Sequence, residues 1–225
     1  GIPLGIELAA GLVREARCAE IAAQVAERLD GLVSPLRNVP PRHRSLRAMF
    51  DHSWALLTAE QQRLFAELAI FPSGFELAAA QAIAGATAQQ LLALVDKALV
   101  KQGENGRFAI HPLLREFAAE QVAAEAYPSL RSRHCAYFAS LLAEQSRTFH
   151  RPTYLKFLPG LVAVYEDLVL AWQWAIERVV TDELPEARGW VEAIRRPFIR
   201  LHFQRSWFHQ ARSLYGDARA TLEDA

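Results

Sequence analysis

The sequence predicts a mainly α fold with one small β element, and three observations carry that reading. Apolar residues recur at i, i+3, i+4 and i+7 spacing over most of the 225 residues, the mark of helices with one buried face. The pattern breaks for one short hairpin, residues 98–110, where two apolar stretches flank Asn105-Gly106, a dipeptide that accepts the left-handed backbone of a tight turn. It resumes at His111-Pro112 and continues, in longer paired pieces, to the last residue. Helices, a hairpin and a further helix in that order are the sequence form of a winged helix. The paired helices after it suggest the start of an α-solenoid, although no repeat of fixed period is evident.

Taken in order, residues 4–16 and 19–29 are rich in Ala and Leu with interspersed Glu and Arg, which predicts two short helices. Three prolines within residues 34–42 remove backbone donors and push their predecessors out of the helical region, so a domain boundary falls there. Leu46, Met49, Phe50, Ser53, Trp54 and Leu57 then share one face of a helix over residues 43–57. Thr58 and Gln61 form a capping-box pattern that starts the next, with Leu64, Phe65, Leu68 and Ala69 inward. Helices over residues 76–84 and 88–99 precede the hairpin; the second occupies the position of the reader in a DNA-binding winged helix. A helix over 112–126 follows, with Pro112 in the first turn where its missing donor is harmless, and Tyr127-Pro128 marks the next break. Long helices are expected over 129–147, 155–180, 183–203 and 206–223. The domain division is 1–38, 39–127 and 128–225.

Composition bounds the function. Hydrophobic residues make up 52% of the chain, ample for buried cores, and 25 basic residues balance 25 acidic ones. That balance argues against a chain built mainly to coat nucleic acid or an anionic membrane. No apolar run approaches the roughly 20 residues of a membrane span. Cys18 and Cys135, far apart and each in a helical pattern, read as small buried hydrophobes in a reducing cytoplasm. The start, Gly1-Ile-Pro-Leu4, has no signal-peptide character and reads as the beginning of a fragment.

Several constellations carry little chemistry. Asp51-His52-Ser53 holds the residue types of a hydrolase triad, but consecutive helical positions point about 100° apart and cannot face one another. No His-Glu-x-x-His or Cys-x-x-Cys spacing suggests a metal. Arg42, His43, Arg44 and Arg47 form a basic cluster that reads first as a solvated face, and Arg195, Arg196 and Arg200 with Phe198, Trp207 and Phe208 read as the core and rim of a helical repeat. The helix over 88–99 offers one Lys, one Asp and two Gln, too little positive charge for a major-groove reader.

Five segments together carry a resemblance. Gly1-Ile-Pro-Leu-Gly-Ile-Glu-Leu-Ala-Ala10 looks like the GxP segment of STAND-class signal-transduction ATPases, the NB-ARC proteins and bacterial transcription-regulator ATPases. Arg42-His-Arg-Ser-Leu-Arg47 with His52-Ser-Trp54, then Leu64-Phe-Ala-Glu-Leu-Ala-Ile-Phe-Pro-Ser-Gly-Phe75, then Arg107-Phe-Ala-Ile-His-Pro-Leu-Leu-Arg-Glu-Phe-Ala118 resemble the rest of that module in the same order. Glu166-Asp-Leu-Val-Leu-Ala-Trp172 is similar to the segment that opens the tetratricopeptide-like repeats of the bacterial members. The resemblance implies a P-loop ATPase core, a small helical domain, a winged helix and sensor repeats, of which this chain holds the later parts. It further implies that Pro3 packs on adenine and that His111 touches the β-phosphate of ADP, although Ile110 and Pro112 replace the Met and Asp of the family's Met-His-Asp motif.

No Gly-x-x-x-x-Gly-Lys-Ser/Thr occurs, so the phosphate cradle is lacking and this chain is not expected to hydrolyse ATP by itself. The expected function is regulatory: coupling the ADP or ATP state of a core in the same polypeptide to an unknown ligand or protein sensed at the repeats, with no direct DNA contact and no membrane. A stand-alone winged-helix DNA-binding regulator and a helical scaffold for protein partners are the alternatives.

Overall fold

A computed structural model describes residues 46–103, 105–146, 154–181 and 183–223. The expected helices over 4–16 and 19–29, the proline linker, Pro3, Cys18, and Arg42, His43 and Arg44 lie outside the described residues. Within them the chain is mainly α with one two-stranded sheet. The helices are α1 (Leu46–Ala55), α2 (Ala59–Leu68), α3 (Leu77–Ala84) and α4 (Ala88–Asp96), then α5 (Pro112–Glu120) after the hairpin. The long pieces are α6 (Tyr127–Ser146), α7 (Tyr154–Ala163), α8 (Tyr165–Thr181), α9 (Ala187–Arg205) and α10 (Phe208–Glu223). The hairpin pairs β1 (Lys101–Gln102) with β2 (Phe108–Ala109). No single helix among the described residues is long and apolar enough to cross a membrane.

The chain divides into two compact units, which do not follow simple sequence boundaries. Among the described residues, one comprises 46–69, 89–101 and 110–122; the other comprises 70–88 and those of 102–109 and 123–223. In the first, α2 begins as the sequence predicts. The Thr58 hydroxyl accepts from the Gln61 amide at 3.2 Å, and the Gln61 side chain accepts from the Thr58 amide at 3.2 Å. The capping box satisfies donors that the first helical turn leaves free. Leu64, Phe65, Leu68 and Ala69 are buried as expected. Their core is closed by Phe50 and Phe117, with ring centres 5.7 Å apart, and by Trp54 edge-on to Phe117 at 5.9 Å.

In the second unit, α6, α8 and α9 pack on one another and α10 packs on α8. Small residues let α6 and α8 approach closely. Cys135, Ala139, Ala171 and Ala175 are all buried, and the Cys135 thiol donates to the Ala171 carbonyl at 3.3 Å. Cys135 is thus the buried small hydrophobe expected of it, and burial pushes its thiol pKa up to about 12. Phe198 is buried against Tyr165, Trp172, His202 and Tyr215, so the aromatic residues of the Arg-rich segment build core. The His202 imidazole donates from Nδ1 to the Phe198 carbonyl at 2.8 Å and accepts from the Tyr165 hydroxyl at 2.9 Å. Burial lowers its pKa, consistent with a neutral ring.

Four expectations need correction. The helix over 155–180 is two helices, α7 and α8, separated at Val164. The interruption falls where the Ala163 carbonyl accepts from Arg107 Nη2 at 3.4 Å, a side chain competing for a group the helix would otherwise use. Tyr127-Pro128 is no break: it opens α6, where a first-turn proline forfeits no hydrogen bond, and the break is residues 121–126. The helix after the hairpin accordingly stops at Glu120 rather than 126. The hairpin loop is longer than Asn105-Gly106 alone. The Gly103 amide donates to the Arg107 carbonyl at 2.8 Å, the Gly106 amide to the Gly103 carbonyl at 3.0 Å, and Gly106 takes φ +76°. That is the pattern of a turn closed by a left-handed glycine, with the Asn105 side chain accepting from the Arg107 amide at 3.1 Å.

Candidate functional site

His111 is the N-cap of α5, a role set by its place between strand and helix. Pro112 at the first helical position has no N–H to satisfy, and the Leu113 amide behind it donates to His111 Nδ1 at 3.3 Å. An Nδ1 that accepts carries no proton, so the neutral ring holds its proton on Nε2. The ring is exposed, and what desolvation it undergoes lowers its pKa from the ordinary histidine value. The outcome is an uncharged, accessible donor at the positive end of a helix, where anions are favoured. Pro3, the other candidate contact, lies outside the described residues.

α4 presents little to a nucleic acid. Its exposed positions are Ala88, Gln89, Leu92 and Asp96, with Lys97 just beyond the end, and Gln90 donates to Glu60 at 2.6 Å.

A polar cluster that sequence reasoning missed lies inside the second unit. Asp167 is fully buried and His134 is 1% exposed, with Asp167 Oδ1 3.1 Å from His134 Nε2. The Ser73 hydroxyl donates to Asp167 Oδ2 at 3.4 Å. Burial raises the pKa of Asp167 against the pull of His134, Ser73 and Arg107, and burial lowers that of His134 against the pull of Asp167. Asp167 sits in the first turn of α8, where the helix dipole further favours a carboxylate. The residue types match a hydrolase triad but the connectivity does not. Ser73 bonds to the carboxylate, whereas a nucleophile must bond to the imidazole that takes its proton. The cluster therefore ties α6, α8 and the segment before α3 together. Its one sequence signal, an Asp in the first turn of a helix, is indistinguishable from an ordinary solvated first-turn acid until a partner is known.

Arg107, the first residue after the hairpin loop, anchors the same region. Its Nη2 donates to the Gly74 carbonyl at 2.8 Å and its Nη1 pairs with Glu76 at 3.2 Å. Phe75 and Phe108 exchange backbone hydrogen bonds of 2.8 and 2.7 Å, adding an antiparallel bridge beside β2. No group of three His, Cys, Asp or Glu among the described residues could hold a metal.

The chain is similar to proteins of mycobacteria. A Mycobacterium tuberculosis protein provisionally named an HTH-type transcriptional regulator is 37% identical over 154 residues, 64% of this chain and 17% of that protein. A Mycobacterium bovis protein with the same provisional name matches equally. An uncharacterised Mycobacterium tuberculosis protein is 32% identical over 133 residues, 54% of this chain and 34% of its own length. The chain thus spans about a sixth of the length of the regulators it matches. No protein-family model matches the chain. No solved structure matches it.

Proposed function

We propose that this chain is the regulatory part of a nucleotide-switched transcription regulator of the STAND class, a helical lid that couples the ADP or ATP state of a core elsewhere in the polypeptide to sensing by the helices after α5. The observation that carries this reading is His111: a histidine at the position of the family's phosphate contact, uncharged, exposed, and held at a helix N-terminus by its own cap. The resemblance of residues 1–118 to that module and the transcription-regulator name of a relative support it. A lid acts by contacting ADP in one state and not the other, and that difference in binding free energy biases a two-state element. In this reading the chain itself is not an enzyme, and ADP and ATP are ligands of the longer protein.

The second reading, direct DNA binding, is favoured by the HTH designation of the relative. Fluorescence anisotropy of this chain with labelled duplexes over a salt series separates the two. Regulatory coupling predicts no sequence preference and weak binding at physiological salt; sequence-specific binding with a steep salt slope would establish the DNA reader instead.

A further inference from the structure

A cavity of about 180 Å³ lies within the second unit, bounded by Arg107 at the end of the hairpin loop, by the segment leading into α3, and by α6 and α7. Its walls are Phe71, Phe75, Tyr137, Phe138 and Leu161, three of them phenylalanines no more than 2% exposed. Two charged groups, Arg107 and Glu76, also line it. A half-open, largely aromatic space with a small number of convergent polar groups is the usual make-up of a small-molecule site.

The two ends of the guanidinium are held differently. Nη2 is fixed by backbone, the Gly74 carbonyl at 2.8 Å and the Ala163 carbonyl at 3.4 Å, and the Arg107 side chain is only 16% exposed. Nη1 is engaged by Glu76, whose side chain is 65% exposed. An ion pair with one partner so well hydrated gains little. A ligand carboxylate entering the mouth can therefore take the place of Glu76 on Nη1 and leave every backbone bond of Arg107 intact. The volume sets the rest of the ligand, since a cavity of roughly 150 Å³ accommodates one benzene ring.

We infer that this cavity binds a small aromatic monocarboxylate, its ring among the phenylalanines and its carboxylate on Arg107 Nη1. The site stands whether or not the chain serves a nucleotide switch, because it needs only residues of one compact unit. Its occupation would tie Arg107, at the end of the hairpin loop, to α6 and α7.

Benzoate, benzyl alcohol and benzylamine, titrated into the 225-residue chain by ligand-observed NMR and calorimetry, test it. Saturable benzoate binding at least about tenfold tighter than that of the neutral and cationic analogues is expected. Arg107→Gln is expected to abolish that preference, and Leu141→Trp, which fills the cavity from a half-buried position, to abolish binding with the melting transition retained. Absence of saturable benzoate binding, or equal binding of the three probes, overturns the proposal. Because the comparison of probes uses the unaltered chain, it decides the matter even where a variant fails to fold.

Discussion

Gly74 shows how much a single residue can fix. Its φ of +92° is one that L side chains rarely adopt, and a Cβ there would lie 2.8 Å from the Phe108 carbonyl oxygen. That oxygen is the one the Phe75 amide uses at 2.8 Å, so a methyl group would push apart the bridge beside the hairpin. Gly74→Ala is expected to cost roughly 2 kcal/mol or more of unfolding free energy, measured as a drop in the urea midpoint; a change under about 0.5 kcal/mol would be that of an ordinary surface site. The sequence shows Gly74 after Phe71-Pro72-Ser73, which is a local turn signal. It could not show the opposing carbonyl, which belongs to a residue 34 positions later. His111 is the converse case. Pro112, with no N–H to satisfy, opens α5 and leaves His111 as its cap, and the Leu113 amide fixes the ring through Nδ1, all within three consecutive residues.

At the scale of elements, what was legible was what is encoded locally. The Thr58 capping box, the start of α4 at Ala88, the Pro112 helix start and the hairpin across Gly106 all arise from contacts within a few residues, and all were readable. The break between α7 and α8 was not, because its partner is the Arg107 side chain, distant in sequence. The same holds for Asp167, whose burial is set by His134 on α6 and Ser73 ahead of α3. Replacing that carboxylate with an apolar group leaves an imidazole N–H and a hydroxyl facing it without an acceptor. Asp167→Leu is therefore expected to destabilise the chain by about 3 kcal/mol, in the range for breaking a buried pair by removing one partner. Equilibrium unfolding in urea measures it, and a loss below about 1 kcal/mol would mean that the cluster contributes no more than an ordinary hydrogen bond.

At the scale of the molecule, the balance of 25 basic and 25 acidic residues and the weakly charged face of α4 agree with each other. Neither supplies the excess of positive charge that non-specific DNA affinity draws on. The regulatory reading accounts for the exposed His111, for the hairpin beside it in sequence, and for helices that continue well beyond a minimal winged helix. The most direct test of the proposed switch is ADP release from the longer, nucleotide-binding protein that the proposal calls for, followed by loss of a fluorescent ADP analogue for the native protein, His111→Ala and His111→Asn. Removing one charge-assisted hydrogen bond of roughly 1.5–3 kcal/mol predicts release about ten- to a hundredfold faster in His111→Ala, with His111→Asn, which retains a capping acceptor and a donor, in between. Identical release rates for all three would contradict the account.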